Sequence, residues 1–151
     1  MGSKQLPYAA LIKQLSTEIQ KRADAALQES DLTMTQMYFL GALSHLPGGC
    51  ATLKELERHF RVAQSTAAGV AARMEKKGLI ESLPSEGDRR VKRVRITASG
   101  EETLRRALET MERGEQQMLA PLDDAEQETL LTLLRRVHSA LRREEGDCPC
   151  P

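Results

Sequence analysis

The sequence predicts a mostly α fold with a small β-hairpin. Two short helices are joined by a tight turn, a hairpin lies beside them, and long helices occupy both ends of the chain. Three observations predict it. Apolar residues recur along most of the 151 residues at a helical period, the spacing that lines one face of an α-helix. Between Gly78 and Thr97 that period breaks into two short apolar, β-branched runs around a turn containing Pro84, Ser85 and Gly87, the pattern of paired strands. Apolar residues make up 40 % of the chain and charged residues 29 %, with 10 Gly and 6 Pro, which suits a folded globular chain.

The elements follow in order. Residues 6–29 carry Leu11, Ile12, Leu15, Ile19, Ala23, Ala26 and Leu27 at helical spacing, with Pro7 in the first turn, where its missing N–H is harmless. Asp31-Leu32-Thr33 interrupts this helix, and Thr33 is placed to cap a second one. The second helix carries Met37, Phe39, Leu40, Leu43 and Leu46 and stops at Pro47-Gly48-Gly49. Thr52-Leu53-Lys54-Glu55 fits a capping box and opens a short third helix with Leu53, Leu56 and Phe60 inward. After Arg61-Val62-Ala63-Gln64, a fourth helix runs from about Gln64 to Lys77 with Ala67, Val70, Ala71 and Met74 inward. Gly78 stops it. Leu79 to Leu83 reads as one strand, Pro84 to Asp88 as a turn, and Val91, Val94 and Ile96 as a second strand. Thr97 or Ser99 caps a long helix with Leu104, Ala107, Leu108, Met111 and Met118, ended by Pro121. Asp123 or Asp124 opens a last helix with Leu130, Leu133, Leu134, Val137 and Leu141. The organisation expected is an N-terminal helix over 1–31, a central domain over 32–96, C-terminal helices over 97–145 and a disordered tail over 146–151.

Charge sharpens this. The 22 basic and 22 acidic residues cancel over the whole chain, which taken alone argues against a polyanionic partner. The cancellation is between segments: 54–96 holds 11 basic and 6 acidic residues, net +5, and 97–151 holds 7 basic and 12 acidic, net −5. Five cations crowd into the seven positions Arg89-Arg90-Val91-Lys92-Arg93-Val94-Arg95. Like charges this close repel unless solvent or a polyanion screens them.

Several classes are disfavoured. No apolar run approaches the roughly 20 residues that span a bilayer, and no apolar signal segment follows Met1, so a cytoplasmic location is expected. Three cysteines, Cys50, Cys148 and Cys150, form no disulfide framework. Neither they nor His59 and His138 sit at metal-ligand spacing with further ligands, so no metal is expected. No nucleophile–base spacing, phosphate-cradling Gly loop or HExxH motif marks an enzyme. With Tyr8, Tyr38, Phe39, Phe60 and no Trp, there is no platform for stacking single-stranded bases.

Two short helices followed by a basic hairpin form the layout of a winged helix-turn-helix. The second helix of such a pair lies in a major groove and offers its N-terminal side chains to base edges. A basic hairpin tip suits the strong negative potential of a narrow minor groove. Double-stranded DNA is therefore the expected partner. The alternative is a winged-helix protein-interaction module without DNA binding, which would show no steep salt dependence.

The residues also carry a resemblance. Met74-Glu75-Lys76-Lys77-Gly78-Leu79-Ile80-Glu81, then Asp88-Arg89-Arg90, then Arg95-Ile96-Thr97-Ala98-Ser99-Gly100 resemble, in order and spacing, the MarR family of bacterial transcription regulators. Leu32-Thr33-x-x-Gln36 and Leu53-x-Glu55-Leu56 agree, so the resemblance covers about 5–143. It implies a winged helix-turn-helix with long N- and C-terminal dimerisation helices that interlock in a homodimer. It further implies a pseudo-palindromic operator, repression, and release by a small ligand, often an aromatic or phenolic acid. No cofactor is implied.

On the fourth helix the exposed candidates for DNA contact are Gln64, Ser65, Thr66, Ala68, Gly69, Ala72, Arg73 and Lys76. Ser65 and Thr66 either contact DNA or cap the helix. Gly69, which costs about 1 kcal/mol against Ala in a helix, either admits a close approach or permits helix packing. In the wing, Asp88 resembles the family residue that orients an arginine. Arg90 is assigned to the minor groove, with Arg89 as its partner or as the ion-pair mate of Asp88. Lys92 is a further candidate, but Lys92, Arg93 and Arg95 alternate along a strand and cannot all face DNA. Ser82-Leu83 stands where relatives often carry a basic residue. The resemblance places a ligand pocket where the dimer helices meet the binding head, with Tyr8, Ile12, Met37, Tyr38, Gly41 and His45 as candidates. The apolar stripes of the terminal helices predict an obligate dimer.

Overall fold

The computed structural model describes residues 8–84, 87–88 and 90–146. Pro7, Arg89, Cys148, Cys150 and the tail beyond Gly146 lie outside the described residues. Those described form helices α1 (Tyr8–Glu29), α2 (Met34–Ser44), α3 (Leu53–Phe60), α4 (Gln64–Lys76), α5 (Ala98–Leu119) and α6 (Asp124–Gly146), with strands β1 (Cys50–Thr52), β2 (Ile80–Leu83) and β3 (Arg93–Ile96). The chain packs as two units, Met1–Glu112 and Arg113–Pro151.

In the first unit, local chemistry starts α2 and α3. Thr33 and Gln36 form a reciprocal capping box at α2, and Thr52 and Glu55 form another at α3. Each satisfies backbone N–H groups that a helix start leaves unpaired. Arg61 closes α3 in the left-handed region, at φ 51°, and its N–H bonds back to the helix. The inward face of α4 is the one the spacing predicts: Ala67, Val70, Ala71 and Met74 are all buried. They join Phe39, Leu40, Leu43, Leu56, Val94, Ile96, Leu104 and Ala107 in one core. The rings of Phe39 and Phe60 stack at 4.4 Å and fasten α2 to α3.

The hairpin is part of a three-stranded antiparallel sheet in the order β1-β3-β2. Strand β1 is not anticipated by the sequence, where Cys50 reads as part of a turn. It is three residues long and pairs Ala51 with Val94, placing both side chains in the core. Val91 precedes β3 rather than lying in it and is exposed. Leu46 follows α2 and is partly exposed, because the helix ends at Ser44.

The start of α5 is tied to the end of α4. The Thr97 side chain accepts the Gly100 N–H (3.0 Å) and donates to the Gly78 carbonyl (2.6 Å). The Thr97 N–H donates to the Leu79 carbonyl at 3.0 Å. Thr97 is thus the cap of α5, in place of the alternative Ser99. Gly100 is obligatory here, since a Cβ would stand 2.1 Å from the Leu79 oxygen. Gly78, at φ 71°, turns the chain from α4 into the sheet.

The apolar stripe of α1 stays open: Leu11, Ile12, Leu15 and Ile19 are exposed, and only Ala26 and Leu27 reach the core. In the second unit, Asp123 Oδ1 accepts the Glu126 N–H and Glu126 Oε2 accepts the Asp123 N–H, a capping box for α6. Gln127 Nε2 donates to the Leu119 and Leu122 carbonyls and fixes the preceding turn. Along α6, Leu130, Leu131, Leu133, Leu134, Val137 and Leu141 are all exposed. Among the described residues no helix is long and apolar enough to cross a membrane.

The contact at Gly100 makes a sharp prediction. Gly100→Ala forces the Leu79 backbone to move and costs about 1–3 kcal/mol, the range for overpacking. Thermal melting of the two proteins checks this, and an unchanged melting temperature contradicts it.

Candidate nucleic-acid interface

Helix α4 presents a small, open surface. Gln64, Ser65, Thr66, Ala72, Arg73 and Lys76 are exposed, and Ala68 and Gly69 are half-buried. The N-cap is Ala63, and no side chain caps the helix, so Ser65 and Thr66 do not serve as caps. The first turn of α4 thus leaves backbone N–H groups and side-chain hydroxyls facing outward, an arrangement that favours an anion. A Cβ at Gly69 would meet only the tip of the Arg73 side chain, at 3.6 Å. Gly69 is therefore not needed for packing within the described residues.

The wing is less cationic than its sequence suggests. Arg95 and Glu81 face each other across β3 and β2 in register, and their side chains join at 2.6 Å. Lys92 Nζ lies 3.6 Å from Glu75 Oε2 on α4. Arg93 turns its guanidinium towards Cys50 Sγ, at 3.8 Å. Arg90 is exposed and makes no ion pair among the described residues. Asp88 acts on the backbone: its Oδ1 accepts the Arg90 N–H at 2.9 Å, and its carbonyl accepts the Val91 N–H at 3.1 Å. That is the local bonding by which an aspartate shapes a turn. It holds the Arg90 backbone, while Arg89, the other candidate partner, lies outside the described residues.

Glu75 links the two parts of the interface. Its Oε1 accepts the Ser82 N–H of β2 at 3.0 Å, while Oε2 faces Lys92. The Ser82 side-chain hydroxyl, chiefly, holds the Glu75 carboxyl below the ordinary carboxylate range, with the Ser82 N–H and Lys92 adding to it. Neither this linkage nor the Arg95–Glu81 pair is anticipated by the sequence. Opposite charges on facing strands are the signal for the latter, once the register is known. No local pattern marks the former, because its partners are far apart in sequence.

A cleft of about 730 Å³ opens between α2, α3 and the sheet. Leu56, Phe60 and Ala42 supply apolar lining, with Arg93, His45 and His59 also on its walls. Of the sequence candidates for a ligand pocket, Tyr38, Gly41 and His45 line it, whereas Tyr8, Ile12 and Met37 do not. Met37 lies in the core. The reason is helical geometry: each step of four residues rotates the side chain by about 40°. Positions 37, 41 and 45 therefore drift from the core face of α2 to its cleft face. Tyr8 and Ile12 are exposed on α1. The Glu55 carboxyl, also on the cleft wall, is held below its ordinary range, first by the Thr52 backbone hydrogen bond. Among the described residues no group of three or more His, Cys, Asp or Glu is placed to hold a metal ion.

Comparison with known proteins places this architecture. A profile described as the MarR family matches residues 30–91. The transcriptional regulator HosA of Escherichia coli O111:H- is 32 % identical over 113 residues, spanning 73 % of this chain and 80 % of HosA. The transcriptional activatory protein BadR of Rhodopseudomonas palustris is 32 % identical over 88 residues, 58 % of this chain and 50 % of BadR. Among solved structures, the S. aureus MepR–DNA complex superposes with a TM-score of 0.75 at 25 % identity, covering 89 % of this chain and 99 % of MepR.

Proposed function

The chain belongs to the MarR family, and from that premise we propose that this transcription regulator is a homodimeric repressor that reads double-stranded DNA with α4 and the wing. The observation that carries the reading is the open face of α4, with Gln64, Ser65, Thr66, Arg73 and Lys76 exposed. It is accompanied by a wing in which Arg90 is left without an internal carboxylate among the described residues. Gln64 and Ser65 approach base edges at the helix N-terminus. Arg73 and Lys76 meet phosphates, which supply affinity and register but little sequence information. The Ala68–Gly69 surface allows close approach, and its methyl group suits thymine. Arg90 enters the minor groove.

The apolar stripes of α1 and α6 support the dimer. Each leaves a row of large aliphatic side chains in water, and a second copy covers them. The division expected from the sequence follows: 1–31 and 97–145 dimerise, and 32–96 binds DNA. A two-fold dimer presents two identical heads and so reads a pseudo-palindrome. The name of BadR describes an activator; for this chain repression is the reading, through occupancy of the promoter.

Release by a small aromatic or phenolic acid completes the proposal, and the cleft supports it. Its apolar lining accepts a ring and the Arg93 guanidinium donates to the carboxylate. Arg93 belongs to β3, so drawing its guanidinium into the cleft alters the wing. Tyr38, Gly41 and His45 contribute to the same site.

Two outcomes are expected. Arg90→Ala lowers affinity for a duplex selected from a random pool at least tenfold in a gel-shift titration, while light scattering still gives a dimer mass. Unchanged affinity removes Arg90 from the interface, and a wild-type monomer at micromolar concentration contradicts the dimer. Among simple phenolic carboxylic acids, at least one releases the wild-type protein from that duplex, and Arg93→Ala raises the concentration required at least tenfold. Equal response of the two proteins would remove the cleft from the mechanism.

A further inference from the structure

We propose that Glu75 is a positioning residue that locks the angle between α4 and the wing and so sets discrimination between sequences rather than total affinity. The proposal rests on the DNA-binding reading above and goes beyond it. One carboxylate reaches both arms of the wing from the last turn of α4: Oε1 takes the Ser82 N–H of β2 at 3.0 Å, and Oε2 holds Lys92, just before β3, at 3.6 Å. Strand β2 is an edge of the sheet, and an edge strand leaves outward N–H groups unpaired. Glu75 fills one of them from the helix, so the wing cannot swing away from α4 without breaking that bond.

The Lys92–Glu75 pair is not explained by stability. Both side chains are well exposed, at 46 % and 38 %, and exposed pairs of this kind contribute little. What the pair does is withhold a cation. A free Lys92 would meet the phosphate backbone of any duplex and raise affinity for all sequences alike. Paired with Glu75, it serves alignment. A helix in one groove and a hairpin in the next engage together only at one relative angle, so an aligned head favours the sequence whose groove geometry matches it. The carboxylate acts through Ser82 and Lys92 and touches no base itself.

The test uses the full chain, a duplex recovered by the wild-type protein from a random pool, and a scrambled duplex of equal length. Glu75→Gln keeps an uncharged oxygen for Ser82 and releases Lys92, so the fold is retained. The expected result is a fall of about tenfold in the ratio of the two affinities. Affinity for the scrambled duplex rises, and its salt dependence steepens by about 0.9 per added phosphate contact. Adding Lys92→Met to Glu75→Gln removes that steepening. Glu75→Ala, which loses both bonds, lowers the ratio further. A merely structural Glu75 would lower the melting temperature and both affinities together, leaving ratio and salt slope where they were, and that result overturns the proposal. A wild-type protein that recovers no duplex overturns the DNA-binding reading and this inference with it. A wild-type protein that discriminates, beside a Glu75→Gln variant with the same ratio, overturns the inference alone.

Discussion

The Thr97 hydroxyl donates to the Gly78 carbonyl and accepts the Gly100 N–H, while the Thr97 N–H donates to the Leu79 carbonyl. Around this one side chain the end of α4, the entry to β2 and the start of α5 are drawn together. The spacing Thr-x-x-Gly is the spacing of a helix cap and its third residue. Glycine is required at the second position because the Leu79 oxygen occupies the place of a Cβ. A short motif at the end of the wing is therefore a junction between three elements. The position of α4 relative to the hairpin, on which any groove-reading function depends, follows from it and from the core beneath.

The same geometry reinterprets the charge. Five cations in seven residues look like a polyanion-binding strand, yet β3 alternates buried and exposed positions, and its exposed cations have internal neighbours. Arg95 pairs with Glu81, Lys92 with Glu75, and Arg93 faces the cleft. These contacts organise the sheet and the helix–wing angle, while Arg90 sits on the turn that Asp88 holds. A run of like charges is tolerable when carboxylates from neighbouring elements are interleaved with it.

Much of the fold was legible because its signals are local. Both capping boxes and the buried face of α4 are patterns within a few residues, and each element appears where its pattern lies. Strand β1 was not legible: three residues are too few for a period-two pattern, and it exists because Ala51 finds Val94 across the sheet. Met37 lies in the core rather than on the cleft, because a four-residue step drifts around a helix. The Glu75 linkage joins positions 75, 82 and 92, which become neighbours only after folding. Gln64, Ser65, Thr66, Arg73 and Lys76, by contrast, are exposed as their helical positions require.

Under the proposed function, a chain of zero net charge carries a compact electropositive reading head. Affinity for the selected duplex, measured across monovalent salt concentrations, tests it most directly. With Arg73 and Lys76 of both protomers against phosphates, the logarithm of affinity falls linearly with that of salt, with a slope of about −4. Binding that is absent at low salt, or that is insensitive to salt, would contradict the claim.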